Sequence, residues 1–167
     1  MATPSEAHLL AFGRVLHNYA SVETGIQISL SAILNIGLGD ASIAFEPYTA
    51  SSLRNVAKSL AKERLKPKLA EQLCCIVGDW FHFNGVRNII AHTRWTEGAR
   101  PGAIKPRGVS IRDGRARWLG DDPDEQDFTA TELEQVAHEL HKINERVKQF
   151  LVTSGLGLII ETKMASR

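Results

Sequence analysis

The segment Val86-Arg87-Asn88-Ile89-Ile90-Ala91-His92 sets an arginine, an amide and a histidine inside an otherwise apolar run. Such groups are costly in apolar company unless they find partners or do chemistry. On a helix Asn88 and His92 share a face, with Arg87 one step round from Asn88. Followed backwards, the row holds Leu73, Val77, Trp80 and Phe81, which predicts a core row that turns polar without turning outward. Val86, Ile89 and Ile90 take the opposite flank, so the segment is expected to be covered on both sides, by its own bundle or by a second copy. Asn84-Gly85 is a turn pair, so a new helix starting there is the alternative to one continuous helix.

Outward from this segment the chain reads as helices. A first helix is expected from about residue 5 to about residue 36, with Leu9, Phe12, Leu16, Tyr19, Glu23, Ile26, Leu30 and Ile33 on its inner stripe. Glu23 is the misfit, because an acid at a core position needs a partner. Arg87 is the arginine on a core row, so Glu23 is expected to face Arg87 or His92; a solvated position at the stripe's edge is the alternative. Gly37 and Gly39 end the helix and Pro47 lies in the connection.

A second helix starts near Ser51 or Ser52 and turns Leu53, Val56, Ala57 and Leu60 inward. Arg54, Lys58, Lys62 and Lys66 recur at every fourth position on its other face, and residues 54–68 carry a net +5. This is either a solvated face or a track for an RNA backbone. Lys66-Pro67 breaks the helix, and Pro67 suits the first turn of the next.

Residues 97–127 hold five glycines and three prolines, an excursion from the helical pattern. Within it Asp113-Gly114 is a two-residue hairpin signal. It pairs Arg112 with Arg115, Ile111 with Ala116 and Val109 with Trp118, leaving Ser110, Arg112, Arg115 and Arg117 on a basic face. With Arg94, residues 94–117 also sum to +5. The near-neutral total of +1 thus hides two basic patches, balanced by the acidic run 121–127, which reads as a solvated linker that can lie against a basic face. Thr129-Ala130-Thr131-Glu132 fits a capping box, with Phe128 and Leu133 as its hydrophobic staple. The helix it opens carries Leu133, Val136, Leu140, Ile143, Val147 and Phe150 inward, and 155–167 form an apolar tail.

The reading is therefore all-α: an up-and-down bundle of about four main helices in a single domain, 1–167, with a β-hairpin inserted before the last helix. No basic-then-apolar leader and no run of about 18 apolar residues is present, so a cytoplasmic protein away from membranes is expected. Cys74 and Cys75 read as reduced core residues, and His138 and His141 as surface histidines. No phosphate-binding glycine loop, paired-cysteine zinc site or Gly-x-Ser-x-Gly elbow occurs, so neither metal nor cofactor is expected.

An arginine, a polar residue, three apolar positions and a histidine, here Arg87, Asn88 and His92, near the end of a core helix in a small helical domain resemble the signature of the HEPN superfamily. Tyr19 and Glu23 resemble the aromatic and acid of that superfamily's first helix. The resemblance implies a homodimer in which the motifs of two protomers meet and, in active members, cleave RNA without a metal. His92 would then move a proton at the ribose 2′-hydroxyl or the leaving oxygen. Arg87 would hold the phosphate, Asn88 would orient one of them, and Glu23 would position the arginine. The toxin branch carries tyrosine two residues beyond the histidine, where this chain has Arg94. Two functions follow: a metal-independent endoribonuclease, for which a restraining protein partner is a further expectation, or a non-catalytic interaction module whose motif is a buried network fixing the dimer. They differ in exposure, since catalysis needs Arg87 and His92 open to a basic cleft.

Overall fold

The structure, a computed structural model, describes residues 4–112, 115–119 and 127–157. These form six helices and four short strands: α1 (Glu6–Leu34), α2 (Leu38–Phe45), α3 (Ala50–Arg64), α4 (Pro67–His82), α5 (Asn84–His92), β1 (Arg94–Glu97), β2 (Ala103–Arg112), β3 (Arg115–Leu119), β4 (Phe128–Thr129) and α6 (Ala130–Thr153). The chain is mostly helical. No single helix among the described residues is long and apolar enough to cross a membrane. The chain divides into two compact units, Met1–His17 with Gly85–Glu139, and Asn18–Asn84 with Leu140–Arg167. The long helices α1 and α6 supply residues to each.

Helix α1 opens at Ser5, whose hydroxyl accepts from the His8 N–H at 3.4 Å. It closes on Asn35, which takes φ 56°. The Ile36 N–H reaches the Ser31 carbonyl and the Asn35 N–H the Ala32 carbonyl, at 3.0 and 3.1 Å, the paired bonds of a Schellman ending. Asparagine makes this stop, not Gly37, which instead precedes the short helix α2. The buried row of α1 is His8, Phe12, Val15, Tyr19, Val22, Ile26 and Ser29. It sits one position off the expected stripe at three places: His8, Val15 and Val22 are buried where Leu9, Leu16 and Glu23 were expected, while Leu30 is buried as expected. Leu9 is 56% exposed.

In the second unit, Thr49 caps α3 by accepting from the Ser52 N–H at 3.2 Å. Pro67 occupies the first turn of α4. Leu53, Ala57 and Ala61 of α3 and Leu73, Ile76, Val77 and Trp80 of α4 are buried. The Trp80 ring lies 5.1 Å from Tyr19. A Cβ placed on Gly25 would come within 2.6 Å of the Val147 Cγ1, so a hydrogen there is what allows α1 and α6 to approach. Cys74 is half-buried and Cys75 exposed; the expectation of two core cysteines fails at Cys75, because on α4 it falls one step beyond the buried row.

In the first unit, β2 is the hub of the sheet. It pairs antiparallel with β1 (Arg94 opposite Arg107, Trp95 opposite Pro106), with β3, and with β4 through Ala103 and Ile104. The β2–β3 register sets Arg112 opposite Arg115, Ile111 opposite Ala116 and Val109 opposite Trp118, the register a two-residue turn requires. Asp113 and Gly114 themselves lie outside the described residues, as do 121–126 of the acidic run and 158–167 of the apolar tail. The β1–β2 connection turns at Arg100-Pro101-Gly102-Ala103. Gly102 takes φ +70° and the Ala103 N–H reaches the Arg100 carbonyl at 3.1 Å, a type II turn with proline and glycine at their favoured positions. One face of the sheet packs: Trp95 stacks against Phe12 at 4.8 Å and meets Phe128 edge-on at 6.2 Å.

Thr129 and Glu132 form the expected capping box, the Thr129 N–H donating to Glu132 Oε2 at 2.8 Å and the Glu132 N–H to Thr129 Oγ1 at 3.2 Å. Phe128 and Leu133 are both buried.

Candidate functional site

Helix α5 is a separate element. Phe83 interrupts the helical run with φ −86° and ψ 0°, and α5 starts anew at Asn84, whose Oδ1 accepts from the Tyr19 hydroxyl at 3.0 Å. The restart resets the helical phase, so the row that runs inward along α4 does not continue inward along α5. Ile90 is buried, Val86, Ile89 and Arg87 are half-buried, and Asn88 and His92 are exposed. This corrects the expectation that the polar positions stay inward. Val86, Arg87, Ile89 and Ile90 form the covered side and Asn88, Ala91 and His92 the open side of this 9-residue helix.

Arg87 donates through Nη1 to Asn88 Oδ1 at 2.9 Å. The amide thereby fixes one edge of a guanidinium that makes a further interaction as well. His92 closes the helix, where the ring is well placed near the helix's negative end, and Thr93 seals the terminus by donating through Oγ1 to the Ile89 carbonyl at 2.6 Å. Arg94, two residues further on, is exposed at the start of β1. One short stretch of the first unit thus presents an amide-held guanidinium, an exposed imidazole and a second exposed guanidinium. Chemically it can bind an anion and move a proton beside it. Among the described residues no three His, Cys, Asp or Glu side chains converge as a metal site.

Glu23 is half-buried on α1 and has an interaction partner. The row on α3 is not a free track along its length. The Arg54 guanidinium lies 4.1 Å over the Phe81 ring, and a Cβ on Gly78 would stand 3.7 Å from the Lys58 Nζ. Lys62 is exposed, while Lys66 lies beyond the end of α3 and precedes α4. The side chains of Arg112, Arg115 and Arg117 lie outside the described ones.

The strongest electrostatic cluster was not anticipated. Arg100 donates to Asp127 through Nε and its backbone N–H, the latter at 3.0 Å, and to Glu132 through Nη1 and Nη2 at 2.7 and 2.8 Å. Bonds from Arg100, then from the Thr129 N–H, hold the Glu132 carboxyl down at about 2. The backbone N–H of Arg100 is the largest cause of a lowered Asp127. The cluster ties the β1–β2 turn to the start of α6 with four of the five guanidinium N–H groups engaged, so it is architecture. The last residue of the acidic run therefore does lie against a basic partner. The Pro101-Gly102 turn was the signal that could have placed β1 beside β2, and with it Arg107 opposite Arg94. Compared with known proteins, the chain matches no family model, no curated protein and no solved structure.

Proposed function

We propose that the chain is a HEPN-like protein acting on RNA, a metal-independent endoribonuclease whose site is completed by a second copy of the chain. In this reading its helices form an up-and-down bundle with the β2–β3 hairpin inserted before α6. The observation that carries the reading is the open side of α5: Asn88 and His92 are exposed and Arg87 is held by Asn88 at 2.9 Å. A motif sealed within its own chain could not reach RNA.

The chemistry follows from the side chains. Arg87 binds the scissile phosphate and meets the charge that grows on its oxygens. His92 takes the proton from the 2′-hydroxyl, whose oxygen attacks the neighbouring phosphorus as the bond to the 5′-oxygen breaks. The Arg87 that faces this imidazole is supplied by the partner copy, and the leaving oxygen takes its proton from solvent. The products are a 2′,3′-cyclic phosphate and a 5′-hydroxyl. Asn88 keeps the guanidinium in place. A double-mutant cycle of Glu23→Ala with Arg87→Ala reads whether Glu23 positions the arginine.

Mixing inactive variants tests the composite site. Arg87→Ala and His92→Ala homodimers are each expected to lose cleavage, and a mixture allowed to exchange protomers is expected to recover part of it. No recovery, with exchange verified by mass, would confine the site to one protomer. A wild-type dimer that binds but never cleaves would favour the interaction module.

A further inference from the structure

The sheet of the first unit has a packed face and an open one. Directly opposed residues on antiparallel strands project to the same face, so Arg94 and Arg107 stand side by side on the β1–β2 ladder, and both are exposed. The alternate positions are the packed ones: Trp95 stacks on Phe12 at 4.8 Å, and Ile104 and Pro106 are buried. Lys105, opposite Thr96, is the next cation along the open face. Like charges directly opposed across strands cost stability, and among the described residues neither Arg94 nor Arg107 has a carboxylate in an ion pair. Elsewhere in the same unit arginines are matched: Arg14 with Glu134 at 2.9 Å, Arg100 with Asp127 and Glu132. An unmatched, opposed pair is what a repeating anion would relieve.

Position identifies the anion. Arg94 follows His92 by two residues, so their Cα atoms are at most about 7 Å apart, and Arg107 lies one strand spacing, about 5 Å, beyond Arg94. A nucleic-acid strand with one phosphate at Arg87 and His92 passes directly onto this pair, and successive phosphates can meet successive guanidiniums. A lone carboxylate of a protein partner can bridge the two guanidiniums but does not extend on to Arg87 and His92 as a nucleic-acid strand does. We infer that Arg94 and Arg107 form the track for the RNA backbone flanking the scissile phosphate. Arg107 is a binding residue that the sequence pattern alone does not reveal. The inference rests on the reading of α5 as the cleavage site.

The test is binding of a fluorescein-labelled, mixed-sequence single-stranded RNA in EDTA, measured by anisotropy across a salt series. A His92→Ala background prevents cleavage, and wild-type cleavage is scored separately. Each of Arg94→Gln and Arg107→Gln is expected to reduce the slope of log affinity against log salt by about 0.7, one phosphate contact on a single strand. Lys148→Gln, at a surface pair with Glu145, is expected to leave the slope alone. Unchanged slopes in both arginine variants overturn the track, and they leave the nuclease reading standing if wild type cleaves. Reduced slopes without any wild-type cleavage keep the track and remove the nuclease. No RNA binding at all overturns the track, as does a poly-glutamate peptide that binds through Arg107 where RNA does not.

Discussion

The two units are held by different physics. The second is an apolar helical assembly in which Trp80, Leu53, Leu73 and Val147 are almost wholly buried, and its tightest point is the space that Gly25 leaves for Val147. The first adds charge-assisted hydrogen bonds to its apolar contacts: Arg100, Asp127 and Glu132 join a turn to a helix start, and the sheet leaves a face open. Close packing tolerates little change in shape, whereas a partly solvated network tolerates change of shape and responds to pH. The exposed candidate groups, Asn88, His92, Arg94 and Arg107, all belong to this first unit.

The largest effect that would sharpen this contrast is expected at Gly25. Gly25→Ala forces a β-branched neighbour with few alternative rotamers and should destabilise by about 1–3 kcal/mol, read as a lowered midpoint in urea. A midpoint unchanged or raised, as helix propensity alone would give, would show that the two helices can separate at no cost.

The smaller effect lies at Glu132. Its carboxyl titrates at about 2 in the folded chain against an ordinary 4.5. A lowered folded value means that the contribution is present above about pH 4.5 and is lost as pH falls through about 2. Glu132→Gln keeps the capping geometry and removes the charge. It should cost about 1 kcal/mol or less near neutrality, and nothing at the acid end. Thermal melts of both proteins through the acid range should therefore converge as pH falls. Curves that stay parallel would mean the pair with Arg100 adds no pH-dependent stability.

Much of the fold was legible where signals are local. The capping box at Thr129 and Glu132, the proline opening α4 and the register around Asp113-Gly114 each depend on residues a few positions apart. The bounds of α1 were legible within two residues, yet its face was not. Choosing the largest apolar residues favoured Leu9 and Leu16 over His8 and Val15, and packing selected by spacing. Helix α2 carries no side-chain cap, since Gly37 has none to offer. Strands β1 and β4 are too short to show a period. The Arg100 cluster joins residues 27 and 32 positions apart, beyond any local pattern. In the candidate site the residues were legible and their exposure was not, because one non-helical residue, Phe83, changes the phase of everything after it.

The central claim is that α5 presents a working histidine to RNA. The measurement that tests it most directly is cleavage of a mixed-sequence single-stranded RNA in EDTA by wild type and by His92→Ala, with the product ends identified. The account predicts cleavage by wild type alone, leaving 2′,3′-cyclic phosphate and 5′-hydroxyl ends. A His92→Ala variant as active as wild type would contradict it.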